Sequence, residues 1–342
     1  TISEDIGEGV LSMLQSPQAP PTEGVLTTLI NDVVSISDKI LLVLDDYHVI
    51  ASSQVDDAMT FLLENLPPHI HLVIVTRDDP RLPLARLRAR GQLTELRAMD
   101  LRFTPSEAAE FLNQVMDLNL SPEEITAMEN RTEGWIAGLQ LAAISMHGSK
   151  DVTGFIKSFT GSHRYVMDYL IEEVLAQRSE GTRDFLMQTS ILGRMYGPLC
   201  DAVTGQEGGQ NTLEKLEQAN LFIVPLDNQR YCYRYHHLFS DLLRHRLKTS
   251  TSSKEIKALH QRASYWYEEN DYLVAAVDQA LAAKDYENVI RLIYQGVGAI
   301  FENSQMNLLV KWWAQLPLDL VAAQPLLCMI YSWAWLATGH PD

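Results

Sequence analysis

Cysteine is scarce: Cys200, Cys232 and Cys328 are the three in a chain of 342 residues. They are odd in number, far apart and set among apolar residues. That points away from a disulfide framework or a thiolate metal site and towards buried thiols in a reducing, cytoplasmic compartment. Basic residues are outnumbered, 27 Lys and Arg against 44 Asp and Glu, for a formal charge of −17. Duplex binding draws much of its affinity from a basic face that neutralises phosphates, so these residues are not expected to grip DNA themselves. Long apolar runs are missing too. The most apolar stretch, Pro325 to Thr338, is too short to cross a bilayer comfortably and reads as a buried helix. Residues 1–20 are acidic and lack a basic-then-apolar start, so no signal peptide is visible and no membrane partner is expected. Residue 1 is Thr, and the closing Ala337-Thr338-Gly339-His340-Pro341-Asp342 reads as a turn between helices rather than a polar cap. The expectation is an interior piece of a longer chain.

What is present is ordinary for a globular protein: 46% hydrophobic and 21% charged residues, enough chain for two to four domains. Lys39-Ile40-Leu41-Leu42-Val43-Leu44-Asp45-Asp46 runs apolar without alternation and then meets two carboxylates. Such a run predicts a parallel strand buried on both faces. His71-Leu72-Val73-Ile74-Val75-Thr76-Arg77 predicts a second, and Ser53 to Leu66 a helix between them, closing one βαβ unit. From Phe103 the character changes. Thr104-Pro105-Ser106-Glu107 and Ser121-Pro122-Glu123-Glu124 are helix starts, each with a hydroxyl cap, a proline at the first helical position and a glutamate three residues after the cap. Helices are expected from there to about residue 192.

Residues 182–235 read as three helices followed by a hairpin, Leu221 to Leu226 and Tyr231 to Tyr235 around a turn at Asp227-Asn228-Gln229. That order describes a winged helix. Its third helix, around Gln210–Gln218, carries two Glu and one Lys, so a structural role is expected there rather than DNA reading. Lys248-Thr249-Ser250-Thr251-Ser252-Ser253 is polar and reads as a linker. Beyond it, helix pairs joined by turns at Glu269–Tyr272 and Lys284–Tyr286 suggest a tetratricopeptide-like solenoid.

Asp45-Asp46 sits at the carboxyl end of its strand, the edge of an open α/β sheet at which ligands bind. One carboxylate there can hold Mg²⁺ and a second can orient or deprotonate a water, while the null is a solvated strand end. Arg77 at the same edge could sense a terminal phosphate, or pair with Asp78 or Asp79. Arg86, Arg88 and Arg90 read as a solvated helix end rather than a phosphate patch, and Trp135, Trp312 and Trp313 as packing between helices.

Taken in order, five segments carry a resemblance. Leu42-Val43-Leu44-Asp45-Asp46-Tyr47-His48 looks like a Walker B strand, and Val75-Thr76-Arg77 followed by Pro80 like a sensor strand. Leu82 to Leu93, Thr132-Glu133-Gly134-Trp135-Ile136-Ala137-Gly138-Leu139-Gln140-Leu141-Ala142 and Tyr233-Arg234-Tyr235-His236-His237-Leu238-Phe239 follow. The set resembles the MalT-like, ATP-binding branch of the LuxR superfamily of transcription regulators, within the signal-transducing NTPases with numerous domains. The resemblance implies a multidomain, mainly α fold with an α/β part. Residues 1–103 would be the later half of a P-loop NTPase domain, 104–181 a helical subdomain, 182–247 a winged helix and 254–342 a truncated solenoid. It implies that Asp45 holds Mg²⁺, Asp46 acts at the hydrolytic water and Arg77 reads the γ-phosphate of ATP. It also places Gly138-Leu139 near adenine, although Gln140 stands where relatives carry proline, and His236 at the β-phosphate of ADP as an imidazole donor. His237 is the alternative, and the plainer reading of His236 is a core histidine flanked by aromatics.

No G-x-x-x-x-G-K-[ST] loop occurs in the 342 residues. Backbone amides and the lysine of that loop supply most of the grip on phosphates, so these residues alone are expected neither to bind ATP tightly nor to hydrolyse it. The family's DNA-binding helix-turn-helix is absent as well. In the whole protein the resemblance implies an ADP-closed state, opened by ATP and an inducer or regulatory protein at the helical repeats. Self-association would follow, with promoter DNA bound by a C-terminal domain. The rivals are an NTP-hydrolysing enzyme or motor, and a protein-binding scaffold with a degenerate nucleotide site.

Overall fold

The structure is a computed structural model that describes residues 7–16, 20–36, 38–50, 52–146, 151–176, 178–303 and 305–338. The closing Gly339 to Asp342, read above as a turn, lies outside the described residues. The chain divides into two units. One comprises residues 1–100 with 218–220, the other 101–217 with 221–342. The second is helical throughout apart from one short hairpin, so the protein is mainly α with several parts.

In the first unit β1 (Ile40–Leu44) pairs in parallel with β2 (Ile70–Ile74), in a register running from Ile40↔Ile70 to Leu44↔Ile74. The helix Ser53–Glu64 makes the crossover that parallel strands require. Burial differs from expectation. Leu41, Leu42 and Val43 are 63%, 40% and 52% exposed, so β1 is not covered on both faces. The reason is the size of the sheet: among the described residues it has two strands, and apolar strand faces are buried only where a layer lies over them. The arginines of the helix Leu84–Ala89 are tied up, Arg86 by Glu64 and Arg88 by Glu95 through two hydrogen bonds of 2.7 and 2.9 Å.

In the second unit the local signals act as expected. The Glu107 N–H donates to Thr104 Oγ1 while the Thr104 N–H donates to the Glu107 carboxylate, starting the helix Pro105–Glu110. Ser121 and Glu124 repeat the exchange for Pro122–Thr132. Helices Glu180–Thr189, Gly197–Thr204 and Gly209–Gln218 lead into β3 (Ile223–Pro225), which is antiparallel to β4 (Tyr233–Tyr235), the order of a winged helix. The third of these helices buries Leu213 and Leu216 and spends Glu217 on the Tyr233 hydroxyl and Arg230.

Two expectations need correction. The polar stretch at 248–253 is no linker: the helix His237–Ser250 runs into it, and Ser252, exchanging hydrogen bonds with Glu255, caps the helix Ser253–Glu269. Two extended residues, Thr251 and Ser252, separate the helices, because the capping box restarts a helix at once. The helix Pro325–Ala337 is buried on one face only. Leu326, Met329, Trp333 and Leu336 are all more than half exposed, since among the described residues only Met306–Trp313 and Leu318–Ala322 pack against it closely. The helices after Ser252 pack through small residues. Ala276 and Ala280 are fully buried, and Ser264 Oγ donates to the Ala276 carbonyl at 2.8 Å. Trp312 is fully buried with its indole N–H on Asp278.

Candidate functional site

The six residues singled out from the sequence fall three to a unit. Asp45 and Asp46 follow β1 directly, and Arg77 comes three residues after β2, so all three lie at the carboxyl edge of one parallel strand pair. The ladder continues past the strands: the Val75 N–H donates to the Leu44 carbonyl at 2.8 Å and the Tyr47 N–H to the Val75 carbonyl at 3.0 Å. These bonds hold the Asp45-Asp46 step alongside Val75-Thr76. Asp46 adopts a left-handed conformation, φ 52°, and its N–H donates to Asp45 Oδ1 at 2.8 Å. Tyr47 closes the turn from below. It is buried, and its hydroxyl donates to Asp56 at 3.1 Å. Burial, with Asp56 beside it, pushes the phenol up to about 12. Both aspartates and Arg77 are exposed. Mg²⁺ takes one or two carboxylates from a protein and the rest of its shell from water and phosphate oxygens. This edge offers that much: Asp45 keeps a second oxygen, and Asp46 is exposed, with His48 Nδ1 3.8 Å from its Oδ1. Among the described residues no group of three metal-ligating side chains forms, so these carboxylates could supply at most part of a shell.

The second unit holds Gly138, Leu139 and His236 around a different feature. The helix Pro122–Thr132 ends in a left-handed step at Glu133 and Gly134, with φ of 50° and 70°. A Cβ on Gly134 would lie 2.4 Å from the Phe103 carbonyl oxygen, so the close approach of those two chains demands glycine. The turn aims Glu133 inward. Its carboxylate is 7% exposed and takes both Nη groups of Arg234 at 2.7 and 2.8 Å, Arg102 Nη1 at 3.2 Å and the His237 N–H at 3.0 Å. Burial alone would raise its pKa, but Arg234, with help from His236 and the His237 amide, holds the carboxyl down to about 2. A charge-assisted, two-pronged pair of this kind fixes geometry as well as contributing energy. It ties residues 132–134 to β4 and to the start of the helix His237–Ser250.

His236 is 4% exposed, and its Nε2 donates to the Thr132 carbonyl at 2.8 Å. That bond sets the tautomer. Nδ1 is then the unprotonated nitrogen, and among the described residues it has no hydrogen-bond partner. Trp135 and Phe222 stand edge-on to the ring at 6.1 and 5.7 Å. Burial therefore pushes the imidazole down to about 4. The N–H that the family resemblance assigns to a phosphate is here spent on Thr132. Gly138 and Leu139 lie in the helix Ile136–Met146 and are buried. A Cβ on Gly138 would lie 2.7 Å from the Trp135 ring, so the close approach of that ring requires glycine. Gly138 and His236 are thus joined through Trp135.

Glu133, Arg234 and Arg102 are the residues that sequence reasoning passed over. The signal was a weak one: Glu133-Gly134 stands at a helix end directly before the apolar run from Trp135, where a carboxylate that turns inward needs a cationic partner.

Residues 171–255 match the MalT winged helix domain. The serine/threonine-protein kinase PknK of Mycobacterium tuberculosis is 34% identical over 317 residues, which is 93% of this chain and 28% of the kinase. The HTH-type transcriptional regulator MalT of Cronobacter sakazakii is 30% identical over 328 residues, 94% of this chain and 36% of the regulator, and that of Klebsiella pneumoniae is 30% identical over 324. The chain spans about a third of the length of these relatives.

Proposed function

We propose that this chain, MalT-like along 94% of its length, is the switch and relay part of a nucleotide-responsive bacterial regulator. The observation that carries the reading is the shared carboxyl edge of β1 and β2, with Asp45 and Asp46 on one strand and Arg77 on its parallel neighbour. Asp45 would hold Mg²⁺, Asp46 would position or activate a water and Arg77 would answer to the terminal phosphate of ATP. The metal's part is to neutralise phosphate charge. The 342 residues hold no phosphate-binding loop, so nucleotide affinity depends on a loop supplied elsewhere in the whole protein.

ADP would favour a closed arrangement, with Gly138, Leu139 and His236 responding through Trp135. ATP, together with an inducer or regulatory protein on the tetratricopeptide-like repeats, would favour an open, self-associating one. Two relatives of different output align with the same stretch, a kinase at 34% and a transcription regulator at 30% identity. A relay that serves either output fits that pattern better than one specialised for DNA. In the regulator reading, promoter DNA is contacted by a C-terminal domain, in a cytoplasmic setting; among the described residues no helix is long and apolar enough to cross a membrane.

The test is the nucleotide content of the whole protein as purified, with its turnover. Retained ADP with slow, Asp46-dependent hydrolysis is the expected result. Fast turnover would make it an enzyme or motor, and the absence of nucleotide would make it a scaffold.

A further inference from the structure

We propose that the cavity beside the Glu133 knot is a binding site for a small phosphate-bearing molecule. The cavity, about 380 Å³, lies wholly within the second unit, a volume suited to a small metabolite. Its charged lining is Arg131, Arg234, Arg244 and a single acid, Asp241, and His237 also lines it. Three guanidiniums, one of them already paired with Glu133, outnumber the one lining carboxylate in a chain whose formal charge is −17.

Each arginine is held by a bond that fixes its direction without using up its donors. Arg131 donates to the Phe159 and Lys157 carbonyls, both at 2.7 Å, and among the described residues its Nε is left over. Arg244 donates from Nε to the Ser190 carbonyl at 2.8 Å, and among the described residues both of its Nη groups are left over. A guanidinium has five N–H donors, and planar pairs of them match phosphate oxygens. Ser240 also lines the cavity, and among the described residues its hydroxyl makes no hydrogen bond, so it is free to meet a phosphate oxygen. Nucleic acid is disfavoured by the overall charge and by the size of the cavity.

The site is also wired to the knot. Arg234 lines the cavity and at the same time grips Glu133 through both Nη groups, and His237 lines it while its N–H donates to the same carboxylate. A phosphate drawing on Arg234 competes with Glu133 for it, so occupancy loosens the tie between residues 132–134 and β4. Such a ligand would act as an effector of the relay proposed above, although the site itself stands without that reading.

The experiment is calorimetric titration of the 342-residue chain with pyrophosphate, with inorganic phosphate as the smaller probe. Binding should weaken about tenfold in Arg244→Gln and measurably in Ser240→Ala. It should tighten in Asp241→Asn, which removes the one like charge. Asp45→Asn should leave it unchanged, which separates this site from the strand edge. Thermal melts of each variant without ligand show that it is folded. No heat of binding, binding indifferent to both Arg244→Gln and Asp241→Asn, or binding lost with Asp45→Asn would each overturn the proposal.

Discussion

Replacing Glu133 by Gln keeps the shape of the side chain and removes its charge. In the native protein that charge sits at 7% exposure and receives Arg234 twice, Arg102 and the His237 N–H. Breaking a buried ion pair from one side costs about 3–5 kcal/mol, because the remaining charge is left without its partner. Arg234 keeps 26% exposure, so water recovers part of that loss. The expected destabilisation is about 2–4 kcal/mol. Urea unfolding followed by circular dichroism at pH 7 measures it, and a double-mutant cycle with Arg234→Met isolates the pair. The pH dependence gives a second check. Glu133 is held at about 2 in the folded state, below its ordinary value. Its contribution is therefore complete above about pH 4.5 and fades as the pH falls towards 2, and the Gln variant should lack that slope. A loss under about 0.5 kcal/mol, the size of an ordinary surface substitution, would refute the claim that this carboxylate ties the segments together.

His236 sits near 4 in the folded protein against 6.5 when free, so folding favours its neutral form. Its stabilisation is complete above pH 6.5 and shrinks as the pH falls towards 4, by about 3 kcal/mol in all; His236→Gln should flatten that part of a stability–pH curve, and an unchanged curve would count against its burial. Gly134→Ala meets both a positive φ and the Phe103 carbonyl, whereas Gly205→Ala meets a positive φ of 72° in open space. The first should cost about 3 kcal/mol and the second about 1; equal losses in denaturation midpoints would show that the close approach is unimportant. Ser252→Ala removes the hydroxyl cap of the helix Ser253–Glu269 and should cost about 1 kcal/mol, read from the same unfolding curves against Ser253→Ala as control.

The local chemistry of the chain was sufficient for a good part of the architecture. The apolar runs ending at Asp45 and Arg77 form neighbouring parallel strands, because the helix between them leaves few other ways to connect. Thr104, Ser121 and their partner glutamates start helices, because a capping box is complete within four residues. The order of three helices and a hairpin was readable before residues 171–255 were matched to the MalT winged helix domain. Only the folded chain decided what is buried and what answers it. Glu133 and Arg234 are 101 residues apart, and nothing near either one announces the other. The tautomer of His236 depends on a carbonyl 104 residues away. Leu41 to Val43 read as covered, and their exposure depends on which layers lie over the sheet. Hydrogen bonds within a turn are set by adjacent residues, whereas desolvation and long-range ion pairing are set by whatever the rest of the chain brings alongside.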